Sequence, residues 1–156
     1  IMLKMSKLTD YGTLVLAQLA KESKLSSAHK VARATHLGRP TVSKLLKALT
    51  HAGLVVSERG AQGGYALARP AIEISAAEII DALEGPVAIT ECSSIKGHCD
   101  LQSNCQVATA WQKINFGIRR ALSEVSLVDL QAPVELLATP NLKAYLASPT
   151  NPKGQQ

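Results

Sequence analysis

The chain has 156 residues, of which 46% are hydrophobic and 19% are charged. This length and composition suit one globular domain with a buried core and a helical extension. No apolar run approaches the roughly 20 residues that a transmembrane helix requires, and the first residues lack the apolar stretch of a signal peptide. We therefore expect no membrane association and a cytoplasmic location, where thiols stay reduced.

The formal net charge of +5 is unevenly distributed along the chain. Residues 1–70 contain eleven Lys and Arg against three Asp and Glu, whereas residues 71–156 contain six against nine. A basic first half is typical of a surface that meets a polyanion. Charge alone does not distinguish such a surface from a basic face that is only solvated.

Two helices are predicted at the start of the chain. Apolar residues recur at helical spacing from Leu8 to about Lys21. Ser26 or Ser27 can then cap a short second helix that runs through Ala34, because Ser is a preferred N-cap residue.

A third helix is predicted after a tight turn at residues 36–38. It opens around Pro40, which suits the first helical position, and it ends near Gly53. Two short helices joined by a glycine-containing turn form a helix-turn-helix, and the start of the second one faces the DNA major groove. The residues expected to contact DNA from this helix are Arg39, Thr41, Ser43, Lys44 and Lys47.

A β-hairpin should follow, with strands at 54–56 and 65–67 around the sequence RGAQGG. Glycine lets a narrow backbone approach the duplex, and an arginine at the tip can enter the minor groove. We expect Arg59 and Gln62 to contact DNA from this tip. A glycine-rich tip is weak evidence by itself, but its combination with a basic helix-turn-helix favours a DNA-binding protein.

The second half begins with the capping-box pattern of Ser75 and Glu78, which predicts a helix to about Glu84 before Gly85-Pro86. A longer helix with a narrow apolar seam is predicted next. Its seam residues are Val107, Trp111, Ile114, Ile118, Ala121 or Leu122, and Val125.

We assign this seam to a homodimer, because a solitary helix beyond a small domain has little core of its own to cover. The alternative is that the helix packs back on its own chain. A twofold dimer would also match a palindromic operator.

The predicted fold class is therefore mainly α with a small β-hairpin, a winged helix-turn-helix plus a long C-terminal dimerisation helix. We divide the chain into a DNA-binding domain (1–70), a cluster-binding loop with the dimerisation helix (71–130), and a proline-rich tail (131–156) that is expected to be partly disordered.

All three cysteines, Cys92, Cys99 and Cys105, fall within the polar run ECSSIKGHCDLQSNCQ. The run is too polar to be core, and an odd number of cysteines argues against a disulfide framework. Three thiolates in one loop indicate an inorganic centre, which would make the protein a sensor.

These features together resemble the IscR/NsrR family of bacterial winged-helix regulators over roughly residues 3–130. The stretches that carry the resemblance are KLTDYG, RPTVSKLLKALTHAGLV, RGAQGGYALARP, SAAEIIDALEGP and the three-cysteine loop. The resemblance implies a homodimer that binds a 2Fe-2S or 4Fe-4S cluster and changes its DNA affinity with the cluster state. It is greatest to regulators of the SUF iron–sulfur assembly operon, so a repressor of cluster-assembly genes is expected.

The resemblance also bears on the fourth cluster ligand. IscR-like members use a histidine three residues beyond the last cysteine, but Ala108 occupies that position here. NsrR-like members use an aspartate in the first helix, donated by the partner subunit, and the TDY match places Asp10 there. Asp10 could instead only stabilise the helix dipole, and His98 beside Cys99 is a local alternative ligand.

Other interpretations of the cysteine loop remain open. Structural zinc sites usually pair cysteines two to four residues apart, whereas the gaps here are six and five. A metal-free thiol sensor would need only oxidisable cysteines. An electron carrier or cluster scaffold would not require the basic helix-turn-helix. We find no nucleophile–base pair or phosphate-binding glycine loop, so an enzyme is not expected.

Overall fold

The computed structural model describes residues 5–90 and 106–132. Cys92, His98, Cys99 and Cys105 lie outside these ranges, and so does the predicted tail beyond residue 132. Within the described ranges the elements are α1 (Lys7–Ala20), α2 (Ala28–Thr35), α3 (Arg39–His51), β1 (Val55–Glu58), β2 (Gly64–Leu67), a 3-10 turn (Ala71–Glu73), α4 (Ala76–Leu83), α5 (Ala108–Ser123) and α6 (Leu127–Gln131). None of these helices is both long and apolar enough to cross a bilayer.

The three N-terminal helices follow the predicted pattern. Ser27 caps α2 through its side chain, and His36 ends α2 in the left-handed conformation with a φ of 57°. The prediction was wrong about one detail of α3. Arg39 is its first residue and Pro40 its second, with Gly38 at the N-cap. Pro40 is tolerated there because the N–H groups of the first turn have no partner within the helix.

The hairpin is a two-stranded antiparallel sheet in which Val55 pairs with Leu67 and Ser57 pairs with Tyr65. β1 extends two residues beyond its predicted end, so the tip is a shorter turn over 59–63. A third segment adds to the hairpin. Ser26 N donates to the Tyr65 carbonyl at 2.9 Å, and Tyr65 N donates to the Ser26 carbonyl at 2.8 Å. The connection before α2 therefore holds the root of the hairpin.

One apolar core joins the N-terminal helices to α4 and α6. Its most deeply buried members are Val15, Leu16, Val31, Val42, Leu45, Leu46, Leu49, Val55, Ile74, Ile79 and Leu127. Leu127 is fully buried although α6 was not predicted, and burying such a side chain contributes about 1.5–3 kcal/mol. The predicted class, mostly helical with one hairpin in a winged helix-turn-helix arrangement, is confirmed.

Two capping boxes begin the C-terminal helices. Ser75 caps α4, and its N–H donates to Glu78 Oε2 at 2.9 Å, as predicted. Ser126 begins α6 in the same way, with its N–H donating to Asp129 Oδ2 at 2.8 Å. The second box has the sequence S-x-x-D, so it was visible in the chain but was missed.

The helix after the cysteines ends sooner than predicted, at Ser123. Val125, assigned to the seam of that helix, lies beyond it, and its carbonyl accepts from Ala76 N at 2.8 Å. Leu127 N in turn donates to the Ile74 carbonyl at 2.7 Å. The chain turns back here because pairing with the segment before α4 lets Leu127 reach the core.

Glu84 connects the end of α4 to the beginning of α1. Ser6 N donates to Glu84 Oε1 at 2.8 Å, and the Thr9 hydroxyl donates to the same oxygen. The hydrogen bond from Thr9 holds the pKa of Glu84 below its ordinary value of 4.5; burial opposes this shift and the Ser6 N–H adds to it. The carboxylate also lies near the positive end of the α1 dipole.

We expect replacement of Glu84 by Gln to remove a pH-dependent part of the stability. Because the pKa is lowered in the folded chain, the ionised group stabilises the fold above pH 4.5, and this contribution disappears as pH falls through the lowered pKa. The difference in unfolding free energy between wild type and Glu84→Gln should be under about 1 kcal/mol, since the group is exposed. Urea unfolding from pH 3 to 7 measures it. Glu73→Gln, at an exposed position, is the control: a change that it shares with Glu84→Gln comes from the loss of a negative charge and not from the hydrogen bonds of Ser6 and Thr9.

Candidate nucleic-acid interface and metal centre

The start of α3 presents exposed cations and hydroxyl groups on one surface. Arg39, Ser43, Lys44 and Lys47 are exposed, and Thr41 is half-buried. Gly38 at the N-cap offers no side chain to the first-turn N–H groups, so the positive end of the helix dipole adds to the charge. All three cations lack an ion-pair partner in the described part of the chain. Their charge is therefore available to an external anion.

The tip of the hairpin carries the other two predicted contacts. Arg59 and Gln62 are both exposed in the turn between β1 and β2. Gly60 has a φ of 115°, which favours glycine, and a Cβ at Gly63 would lie 2.3 Å from the Glu58 carbonyl oxygen. The glycines therefore permit the tight turn that projects these two side chains.

The root of the hairpin depends on a close approach of two backbones. A Cβ at Gly64 would lie 2.8 Å from the carbonyl oxygen of Ser26, and the φ of Gly64 is 158°. Ser26 itself is only 1% exposed. Any side chain at Gly64 would therefore push the hairpin away from the helix-turn-helix.

Two clefts are lined in part by residues that were not predicted to contact DNA. Between α2 and the start of α3 lies a cleft of about 540 Å³, and His29 and Arg33 line it together with Arg39. The spacing of four between His29 and Arg33 was a visible signal for a shared helix face. A second cleft, of about 750 Å³, separates α3 from the hairpin, and it includes His51, Ser57 and Tyr65 in its lining.

Asp10 is the one candidate metal ligand inside the described residues. It lies exposed in the first turn of α1 and makes no hydrogen bond or ion pair with another described residue. It lines a groove of about 400 Å³ whose other walls include Ile79, Ile80 and Leu130. The described ranges contain no group of three or more His, Cys, Asp or Glu residues that could hold a metal. A metal bound by Asp10 would therefore need further ligands from outside the described residues, where the three cysteines lie.

The chain on the entry side of the cysteine loop is bonded to α5. Asn115 is 9% exposed; its Nδ2 donates to the Val87 carbonyl at 3.2 Å, and its Oδ1 accepts from Ile89 N at 3.3 Å. The loop returns into the same helix, which begins at Ala108. Asn115 lies seven positions after Ala108, or about 10 Å along the helix axis. The segment before the loop is therefore bonded to α5, and the segment after it leads directly into α5.

A bidentate ion pair connects α5 to α4. Arg119 Nη1 donates to Asp81 Oδ1 at 3.0 Å, and Nη2 donates to Oδ2. The hydrogen bond from Asp81 raises the pKa of Arg119, burial opposes this, and the charge of Asp81 adds to it. Two parallel hydrogen bonds fix the relative orientation of the two groups.

The predicted seam of α5 is only partly covered by its own chain. Val107, Trp111 and Ile114 are 56%, 39% and 47% exposed, whereas Ile118 is half-buried. Phe116, which was not assigned to the seam, is 69% exposed and lies on another side of the helix at 100° per residue. Only Ala108 and Asn115 are buried among the residues of α5. Exposed apolar side chains that recur on one side of a helix are typical of an interaction surface.

Comparison with known proteins identifies relatives of this chain. The sequence profile of the Rrf2 family, described as iron-dependent transcriptional regulators, matches residues 5–133. The HTH-type transcriptional regulator NsrR of Oceanobacillus iheyensis is 31% identical over 87% of this chain and 95% of its own length.

Solved structures resemble the fold as well as the sequence. CymR, the global cysteine regulator of B. subtilis, superposes with a TM-score of 0.62 at 31% identity, covering 83% of this chain and 96% of CymR. T. potens IscR gives a TM-score of 0.60 at 30% identity, covering 90% of this chain and 96% of IscR.

Replacing Gly64 with Ala should displace the hairpin and weaken DNA binding. The added methyl group meets the Ser26 backbone, which cannot give way as a flexible side chain could. Hydrogen exchange at Ser26 N and Tyr65 N should accelerate, and DNA affinity measured by fluorescence anisotropy should fall.

Gly60→Ala is the matched control for this experiment. Gly60 also has a positive φ, but a Cβ there meets nothing within 4 Å. It should therefore strain the tip without accelerating exchange at Ser26. Equal exchange at Ser26 in wild type and Gly64→Ala would show that this close approach does not hold the hairpin.

Proposed function

The chain belongs to the Rrf2 family of iron-dependent transcriptional regulators, and we propose that an iron–sulfur cluster held by Cys92, Cys99 and Cys105 controls its affinity for an operator. Like its relatives, the protein is a DNA-binding transcriptional regulator, and it is not an enzyme. Beyond this role we propose the signal that the protein senses, the ligands of the cluster and a homodimeric assembly. The observation that carries it is that the segment before the three-cysteine loop is hydrogen-bonded to α5 and the segment after it leads directly into α5.

The donor set fits an iron–sulfur centre. Three thiolates are the ligands that such clusters favour, and one further ligand is needed. Asp10 supplies it in this proposal, because its carboxylate is exposed and unpartnered among the described residues. Glu84, which follows α4, also places its carboxylate at the start of α1, but Ser6 and Thr9 already donate hydrogen bonds to it. When bound, a cluster of either the 2Fe-2S or the 4Fe-4S type would supply a redox-active centre, and the occupancy of the site would depend on iron supply.

The functional unit is a homodimer that pairs through α5. The exposed apolar residues of this helix would be covered by a second copy. A twofold dimer presents two copies of α3, which suits an operator with two half-sites. In each copy the predicted DNA contacts are Arg39, Thr41, Ser43, Lys44, Lys47, Arg59 and Gln62.

The contacts of α5 provide the physical link between the loop and DNA. A change in residues 91–105 would reach α5 through Asn115, which binds Val87 and Ile89. A shift of α5 would in turn reach α4 through Arg119 and Asp81. In a dimer paired through α5, such a shift would change the separation of the two α3 helices, and binding both half-sites depends on that separation.

We propose a cytoplasmic repressor of cluster-assembly genes.

A metal-free thiol regulator is the second candidate. It is favoured by the similarity to Staphylococcus aureus CymR, for which the structure of an oxidised form is known. In that case oxidation of the cysteines, rather than a bound cluster, would alter the loop. The two candidates share the same fold and DNA surface and differ in iron content.

Strictly anaerobic purification should yield a coloured protein that contains iron and sulfide. Absorbance and Mössbauer spectra identify the cluster type, and anisotropy with and without the cluster gives the effect on DNA affinity. Asp10→Ala should change the absorbance spectrum or shorten the cluster lifetime in air, whereas Glu73→Ala should change neither.

A colourless protein without iron or sulfide after reconstitution would contradict the cluster proposal. If DNA affinity then responded to oxidation of the thiols, the metal-free candidate would replace it. An unchanged spectrum and lifetime in Asp10→Ala would exclude Asp10 as the fourth ligand while leaving the three cysteines in place.

Replacing Ile114 with Glu should convert the protein to a monomer. A charge in the centre of the exposed apolar surface of α5 cannot be buried against a second copy without a large desolvation cost. Sedimentation equilibrium measures the mass. Lys113→Glu, a charge change at the exposed neighbouring position, is the control and should remain a dimer. A dimeric Ile114→Glu variant would place the interface elsewhere.

A further inference from the structure

The face of the hairpin that carries Val55 and Leu67 changes from apolar to polar along its length. Cross-strand partners share one face of a sheet, so the pair Val55–Leu67 and the pair Ser57–Tyr65 point the same way. Val55 is buried, and Leu67 packs against the core. Tyr65 is half-buried and also packs against the core, whereas Ser57 is exposed. The apolar face of the hairpin therefore becomes hydroxyl-bearing where it leaves the core.

The opposite wall of this cleft is the later part of α3. Lys44, Lys47 and His51 line it at spacings of three and four, which places them along one side of the helix. All three are exposed. One wall of the cleft thus carries two lysines and a histidine, and the other carries Ser57 and Tyr65, whose side chains bear hydroxyl groups.

The charge of the cleft is uniformly positive. Its lining contains no Asp or Glu among the residues that the structure describes. Neither lysine has an ion-pair partner there. Glu58, the nearest acid in β1, pairs with Gly64 on the other face of the hairpin. Cations with hydroxyl donors in one concave site suit an oxyanion.

We infer that this cleft binds a backbone phosphate of DNA, with His51, Ser57 and Tyr65 as contacts in addition to Lys44 and Lys47. The inference rests on the proposed DNA-facing role of α3 and the hairpin. A phosphodiester strand passing between these two elements would meet donors from both walls. Such contacts fix the position of a protein on the duplex and are independent of base sequence.

The test uses the anaerobically prepared full-length protein and a fluorescein-labelled duplex of random sequence. Because phosphate contacts do not depend on base sequence, no operator is required. Tyr65→Phe and Ser57→Ala each remove one hydroxyl group and should weaken binding about five- to tenfold. Lys47→Gln should also reduce the slope of log affinity against log salt by about 1.

Matched controls separate this site from general effects. Tyr11→Phe and Ser23→Ala make the same chemical changes in α1 and in the connection before α2, away from the cleft, and should leave affinity unchanged. Ser57 is exposed, so its variant tests the inference even if Tyr65→Phe lowers stability. Inorganic phosphate, compared with chloride at equal ionic strength, should compete with DNA for wild type more strongly than for Ser57→Ala.

Unchanged affinity in both hydroxyl variants would overturn the inference and leave the DNA-facing role of α3 intact. Competition by inorganic phosphate without any loss of DNA affinity in the variants would assign the cleft to a free anion, which also overturns it. Failure of the wild-type protein to bind any duplex at low salt would overturn both the inference and the proposed interface.

Discussion

The shared apolar core joins the helix-turn-helix to the part of the chain that follows it. Ile74, Ile79 and Leu127 are buried in the same cluster as Leu45 and Leu49 of α3. The helix that presents the cations and the segments on either side of α5 are therefore parts of one packed body. α5 contributes no residue to this cluster, but it packs against α4, which does. Asn115 and the Arg119–Asp81 pair add directional bonds to this packing at the places where α5 meets the rest of the molecule.

The hairpin is positioned by hydrogen bonds rather than by apolar packing alone. The two backbone bonds between Ser26 and Tyr65 make the connection before α2 a short third segment of the sheet. Isolated two-stranded hairpins are marginally stable in water, so this pairing and the burial of Val55 give the hairpin a defined orientation relative to α3. The width of the cleft between them follows from that orientation. A glycine at position 64 is required for the pairing, since any Cβ would meet the Ser26 backbone.

Local signals in the sequence were sufficient for most of the fold. The spacing of apolar residues placed α1 to α3 within a few residues of their observed ends, and the Ser75–Glu78 pattern placed the start of α4. Two of the errors came from interactions between distant segments. Val125 continued an apolar spacing and was assigned to α5, but its carbonyl bonds to Ala76, 49 positions earlier in the chain. Likewise, Ser57 and Tyr65 were not predicted as site residues, because their common face depends on the register of the hairpin. The exposed cations of α3 could be predicted because exposure follows directly from helical spacing.

Trp111 is the single tryptophan of the chain, and it lies partly exposed on the apolar side of α5. Indole emission moves to shorter wavelength when water is excluded from the ring. The protein therefore carries an intrinsic optical reporter at the surface where a second molecule would pack, one turn away from the start of α5. Its fluorescence can follow assembly in real time without an attached dye.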